Sequence, residues 1–77
     1  MDEFHRYSNL TRKDYNVFEC VCIVNIVQAM AYMDNDVMPV DIRIGRDRNT
    51  DKRCLLFYFD KEESADVYDK WCKHELK

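Results

Sequence analysis

Residues 40–60 read VDIRIGRDRNTDKRCLLFYFD and contain the clearest pair of strand patterns in the chain. Apolar residues alternate with charged ones from Val40 to Ile44, which is the period of a strand with one apolar face. A charged segment, residues 45–52, separates this run from residues 54–59, which are apolar at every position. The pattern predicts a β-hairpin whose long polar loop projects into solvent.

The second strand of this hairpin offers apolar groups on both of its faces. Strand alternation separates residues 55, 57 and 59 from residues 54, 56 and 58. We expect the first set, which holds both Phe side chains, to face the helices and the second set to face outward. Because an exposed apolar sheet face often marks a contact surface, Leu56 and Tyr58 are predicted to bind a partner.

Helix and strand signals flank the hairpin. Residues 16–22 are rich in residues that favour strands. Asn25 and Gln28 have the spacing of a capping box at the start of one helix, and Asp60 and Glu63 have the same spacing at the start of another. The order β-α-β-β-α predicts an α+β domain with a small three-stranded antiparallel sheet and two helices on one face. The alternative is an αββα domain with one long first helix.

Both predicted helices carry an apolar stripe that we expect to face the core. The first stripe consists of Ile23, Ile26, Val27, Met30 and Met33. The second stripe consists of Ala65, Tyr68, Trp71, Cys72 and Leu76. Gln28 and Tyr32 fall on a different face of the first helix.

Length and charge restrict the class of protein. The 77 residues are enough for one domain, predicted at residues 15–77, preceded by a polar arm at residues 1–14. The net charge of −3 does not favour contact with phosphates. The charged N-terminus is unlike a signal peptide, and polar residues interrupt the apolar stretch 17–33. We therefore expect a cytoplasmic protein that does not enter a membrane and for which nucleic acid is an unfavoured partner.

The four cysteines and two histidines do not form a recognisable reactive site. Cytoplasmic thiols remain reduced, so a disulfide framework is not expected. Cys72 and His74 would point apart on a helix, and no Cys-x-x-Cys pair is present, so we expect buried core cysteines rather than a zinc site. Without a nucleophile elbow, a glycine-rich loop or paired carboxylates, the chain is predicted to have no enzymatic activity and no cofactor.

Two stretches and two aromatic residues resemble a known family. They are QAMAYMDNDVMPVDI at residues 28–42 and LLFYFDKEES at residues 55–64, followed by Tyr68 and Trp71. These motifs resemble small α+β domains of unknown function from phages and mobile elements of Gram-positive bacteria, in which Gly stands at the position of Asp36. The resemblance covers residues 15–73. It implies a phage or mobile-element context, and it brings no assigned activity.

The resulting hypothesis is a protein-binding module that acts without catalysis. Its most concrete form is an inhibitor of a bacterial defence system, such as an anti-CRISPR protein that blocks a Cas effector sterically. The outer sheet face, with Leu56 and Tyr58, and the charged loop, with Arg46 and Arg48, are the predicted partner-binding elements.

Two other functions remain open. The same face, or a strand edge, could join two copies into a homodimer. A nucleic-acid-binding accessory would instead use the positive charges of the hairpin, although three aspartates dilute them. These positive residues are Arg43, Arg46, Arg48, Lys52 and Arg53.

Overall fold

Two antiparallel sheets and two helices make up the structure, a computed structural model that describes residues 5–76. The first sheet is a hairpin of β1 (His5–Ser8) and β2 (Lys13–Asn16). A 3-10 turn (Val17–Glu19) leads into the remaining elements. These are β3 (Cys20–Ile23), α1 (Ile26–Asp34), β4 (Asp41–Arg46), β5 (Arg53–Asp60) and α2 (Lys61–Cys72).

The second sheet has the strand order β3-β5-β4. Strand β5 is antiparallel to both neighbours, with Cys20 opposite Asp60 and Asp41 opposite Tyr58. Strands β3 and β4 are therefore parallel to each other and joined through α1, so β5 is inserted into a split β-α-β unit. The predicted α+β class with a three-stranded antiparallel sheet is confirmed.

The hydrophobic core lies between this sheet and the two helices. Its buried members are Ala29, Tyr32, Val37, Phe57, Phe59 and Val67. Tyr32 and Phe59 are fully buried and meet edge to face, with ring centroids 5.0 Å apart. Because Phe57 and Phe59 belong to this cluster, the prediction that they face the helices is confirmed. We call this side of the sheet the inner face and the opposite side the outer face.

Side-chain caps begin both helices as the sequence indicates. The Asn25 side chain accepts hydrogen bonds from the backbone N–H groups of Val27 and Gln28 at 3.0 and 3.4 Å. The Asp60 carboxylate accepts one from the N–H of Glu63 at 3.0 Å. Each bond satisfies a donor that the first helical turn would otherwise leave unpaired. The Gln28 side chain, the other member of the predicted capping box, donates from Nε2 to the Tyr32 hydroxyl at 2.8 Å.

The predicted inward faces of the helices are largely wrong. In α1, Ile26, Val27 and Met30 are exposed, whereas Ala29 and Tyr32 are buried. Tyr32 lies outside the predicted stripe but can be buried, because its hydroxyl accepts a hydrogen bond from Gln28 Nε2 at 2.8 Å.

In α2, too, the buried residues differ from the predicted ones. Ala65, Tyr68 and Cys72 are exposed, while Ser64 and Val67 are buried. The Ser64 hydroxyl donates to the Asp60 carbonyl oxygen at 2.7 Å, which allows it to enter the core. Two residues of the predicted stripe, Trp71 and Leu76, do pack against the core.

The segment before α1 also differs from the prediction. The expected strand at residues 16–22 is interrupted at residues 17–19, where the Asn16 side chain accepts from Phe18 N–H at 2.9 Å and caps the 3-10 turn. Most of the expected polar arm, residues 1–14, belongs to the β1–β2 hairpin, while residues 1–4 lie outside the described residues. Buried Ser8 builds the turn, accepting from Leu10 and Thr11 N–H at 3.1 Å each.

Candidate functional site

The β1–β2 hairpin lies against the outer face of the three-stranded sheet. The Tyr15 ring contacts the Tyr58 ring at a centroid distance of 6.2 Å. Its hydroxyl donates to Asp41 Oδ2 at 2.6 Å, and Arg43 Nε donates to the same oxygen at 2.8 Å. Arg43 Nη2 also donates to the carbonyl oxygen of Tyr7 at 3.3 Å. These bonds link both strands of the hairpin to β4, and we call Tyr15, Asp41 and Arg43 the Asp41 cluster.

The Asp41 cluster holds a buried negative charge. Only 4% of Asp41 is exposed. Burial opposes ionisation of the carboxyl group, but hydrogen bonds from Tyr15, Arg43 and the Ile42 backbone outweigh it, so the pKa of Asp41 is lowered. Burial and the neighbouring carboxylate raise the pKa of Tyr15, which therefore stays a hydrogen-bond donor at neutral pH. The cluster is thus a satisfied structural ion pair that fastens the hairpin.

The inner face, in contrast, is only partly covered. Helix α1 packs chiefly against β3 and α2, and α2 packs against β5. The inward-facing side chains of β4 are consequently left open, and Ile44 is 72% exposed. Leu55, opposite Ile44 on β5, and Ile26, at the start of α1, are exposed beside it.

These side chains line a shallow cavity of about 340 Å³ between α1 and the β4–β5 hairpin. Its lining consists of Ile26, Ile44, Arg53, Cys54 and Leu55. We call this cavity the aliphatic groove. Covering an exposed aliphatic side chain is worth about 1.5–3 kcal/mol, so the groove can provide a substantial part of a binding free energy.

Helix α1 extends the apolar surface beyond the groove. Val27 is 68% exposed, and Met30 lies one turn after Ile26 on the helix surface. On β4, Ile42 shares the inner face with Ile44 and is also exposed. A soluble domain rarely leaves this many neighbouring aliphatic groups in water without a partner for them.

The four predicted partner-binding residues lie in two separate places. Arg48 is exposed in the loop between β4 and β5, and Arg46 is exposed at the end of β4, 3.3 Å from Asp51 Oδ1. Leu56 and Tyr58 do lie on the outer face, but both are half-buried. Leu56 packs over Gly45, and Tyr58 lies beneath Tyr15, so the outer face is less open than the sequence suggested.

Sequence reasoning missed Ile26, Ile44 and Leu55 as surface residues. Ile26 belongs to the predicted stripe of α1 and Leu55 to the set predicted to face the helices, while Ile44 follows the alternation of a strand with one apolar face. The available signal was the shortage of cover, since two short helices cannot shield three strands. The sequence prediction placed the uncovered apolar face on the outer side, which the N-terminal hairpin covers in part.

The cysteines are not the buried core residues that the sequence predicted. Cys22 and Cys72 are exposed, and Cys20 and Cys54 are half-buried. Burial raises the pKa of the Cys20 and Cys22 thiols, so both are protonated at neutral pH. Within residues 5–76, no group of three or more His, Cys, Asp or Glu side chains is arranged to hold a metal ion.

Comparison with known proteins adds no relative. No family model, no curated protein and no solved structure matches this chain. The resemblance to phage domains stays a prediction. Neither helix in the described part of the chain is long and apolar enough to cross a membrane.

Proposed function

We propose that this chain is a non-catalytic protein-binding module and that the aliphatic groove is its contact surface. The observation that carries the proposal is the exposure of Ile44 and Leu55 on the inner face of the sheet, where the core begins only at Phe57, two residues after Leu55 on β5. Such side chains are typical of the apolar centre of an interface. The groove replaces the outer face as the favoured contact site, because the Asp41 cluster already covers part of that face.

The class of partner is proposed from the resemblance of residues 15–73 to phage and mobile-element domains. On this basis the module is an inhibitor of a bacterial defence system, most concretely an anti-CRISPR protein that covers a functional surface of a Cas effector. Steric occlusion needs no reactive group in the inhibitor, which agrees with the satisfied hydrogen bonding of Asp41.

A capture experiment tests the contact surface. The tagged protein is used to capture partners from a bacterial lysate, in parallel with the variants Ile44→Glu and Leu10→Glu. Leu10 is an exposed aliphatic residue of the β1–β2 turn and serves as the matched control. We expect one stoichiometric protein to be captured by the wild type and by Leu10→Glu, and to be lost with Ile44→Glu.

The same experiment can contradict the proposal. Undiminished capture by Ile44→Glu, confirmed to be folded by circular dichroism, would remove the groove as the contact surface. If the captured protein is a nuclease effector, adding the wild-type chain in stoichiometric amounts should stop its cleavage of a target DNA. Continued cleavage would leave a binding module that is not an inhibitor.

Self-association is a second candidate, favoured by the free edge of β4. The N–H of Ile42 donates to the Asp41 side chain at 3.0 Å, which indicates that it points away from β5, and by strand alternation the N–H of Ile44 does the same. Two β4 strands could pair about Ile44 and join two sheets. Sedimentation equilibrium over a wide concentration range tests this, since a monomer throughout would exclude it.

A further inference from the structure

Two arginines flank the open end of the aliphatic groove. Arg46 on β4 lies directly opposite Arg53 on β5. By strand alternation both share the inner face with Ile44 and Leu55. Like charges placed opposite each other across two strands are unfavourable, so the protein alone gains nothing from this pair.

Little in the chain neutralises these charges. Arg46 forms only an exposed ion pair with Asp51 at 3.3 Å, and such pairs contribute little. No carboxylate within residues 5–76 forms an ion pair with Arg53. The first turn of α1, on the other side of the groove, contains no acidic residue.

The local charge is opposite to that of the whole chain. Residues 43–53 carry five Arg or Lys residues against two Asp, although the chain has a net charge of −3. One of the five, Arg43, is committed to Asp41. The arginines that remain exposed beside the groove are therefore positioned to meet negative charge on a binding partner.

We propose that the aliphatic groove binds an acidic–aliphatic peptide segment of the partner protein. An aliphatic or aromatic side chain enters between Ile26, Ile44 and Leu55. A neighbouring Asp or Glu carboxylate contacts Arg53 and Arg46, because a guanidinium group offers paired donors that match a carboxylate. Nucleic acid would supply the negative charge but no aliphatic group to fill the groove, so a peptide fits both halves of the site. This inference rests on the proposed function.

A peptide-display selection tests the specificity directly. A random heptapeptide library is selected on the wild-type protein, and in parallel on the double variant Arg46→Glu/Arg53→Glu. Both arginines are at the exposed end of the hairpin, so the double variant is expected to fold, which circular dichroism checks. We expect wild-type peptides to combine an aliphatic or aromatic residue with a nearby Asp or Glu, and the double variant to select Lys or Arg instead.

Affinities of one enriched peptide complete the test. We expect Ile44→Glu and the double arginine variant each to weaken its binding at least about tenfold, and Leu10→Glu to leave it unchanged. Peptides that depend on Ile44 but show no acidic preference would overturn this inference while leaving the groove as the binding surface. No enrichment, or binding that ignores Ile44, would overturn the inference, and the lysate capture then decides the proposed function separately.

A nucleic-acid control separates the remaining alternative. A fluorescent single-stranded oligonucleotide is titrated against the wild type and the double arginine variant at several salt concentrations. We expect no measurable binding. Salt-dependent binding that the double variant abolishes would assign the arginines to phosphate and overturn the peptide inference.

Discussion

The two faces of the three-stranded sheet are completed in different ways. The outer face is covered by the β1–β2 hairpin, which the Asp41 cluster fastens with a buried, fully hydrogen-bonded charge. The inner face is covered by two helices that leave Ile44 and Leu55 in water. Polar bonding therefore covers part of the face that the sequence predicted to be open, while the face with the aliphatic pattern of a core remains partly accessible. Apolar periodicity identifies a face that can be buried, and only packing decides whether this chain buries it.

Removing the Asp41 carboxylate should weaken the attachment of the β1–β2 hairpin to the outer face. We expect Asp41→Ala to lower the free energy of unfolding by about 2–3 kcal/mol, because Tyr15 and Arg43 lose a charged acceptor. Urea denaturation followed by circular dichroism measures the change. Asp69→Ala is the control, since it removes an exposed ion pair with Lys73 and should cost less than about 0.5 kcal/mol. Equal losses in the two variants would mean that the cluster does not fasten the hairpin.

The contribution of the Asp41 charge to stability should depend on pH. The pKa of Asp41 is lowered on folding, so its stabilisation is complete above the unfolded value of about 3.9 and is lost as the pH falls through the folded-state value. We expect the stability difference between wild type and Asp41→Asn to be constant near neutral pH and to shrink below about pH 4. Urea midpoints across an acid series measure it. A difference that grows on acidification would contradict a lowered pKa.

A side chain at Gly45 tests how closely Leu56 packs over the outer face of β4. A Cβ at this position would come within 2.6 Å of Leu56 Cδ1, so Leu56 would have to move. We expect Gly45→Ala to cost about 1–2 kcal/mol. In a Leu56→Ala background the added methyl group has room, and the cost should largely disappear. Additive losses in this double-mutant cycle would show that Leu56 does not pack over Gly45.

The smallest change in stability is expected in the groove. Ile44→Glu should alter the free energy of unfolding by less than about 0.5 kcal/mol, because the side chain is already in water. Phe57→Ala, on the same face of the neighbouring strand, should cost about 3–5 kcal/mol. A loss above about 1 kcal/mol for Ile44→Glu would place Ile44 in the core and remove the groove as a free surface.

Local signals in the sequence were sufficient for the helix starts and the central strand. Asn25 and Asp60 act within three residues of themselves, so their caps could be predicted without knowledge of the fold. The burial of Phe57 and Phe59 followed from strand alternation once the helices were expected on one side.

The face of α1 could not be predicted in the same way. Seven of its nine residues are apolar, so periodicity alone does not select a buried side. Ala29 and Tyr32 belong to the core cluster that contains Phe59, and the rings of Tyr32 and Phe59 are in contact. These contacts determine which side of α1 is buried, and they join residues that are distant in sequence. The aliphatic groove lies on a side of α1 that these core contacts leave uncovered.

The N-terminal hairpin lacked a recognisable turn signal. Its loop contains no Gly or Pro, and Arg12 takes the left-handed conformation at φ 59°. The turn instead depends on the buried Ser8 hydroxyl. The outcome is similar after α1, where the left-handed conformation is taken by Asp36, at φ 65°, and not by glycine. Non-glycine residues in this conformation are uncommon enough to escape a sequence-based prediction.

The position of β5 in the chain has a consequence for synthesis. Both edge strands pair with β5, and the β3 partner of Asp60 is as far back as Cys20. No strand of this sheet can find its neighbour until residues 53–60 have emerged from the ribosome. The domain therefore folds after most of residues 5–76 have been made, through contacts distant in sequence, which are slow to form. Until β5 is available, the aliphatic side chains of α1 and β4 have no completed sheet to pack against and stay in contact with water.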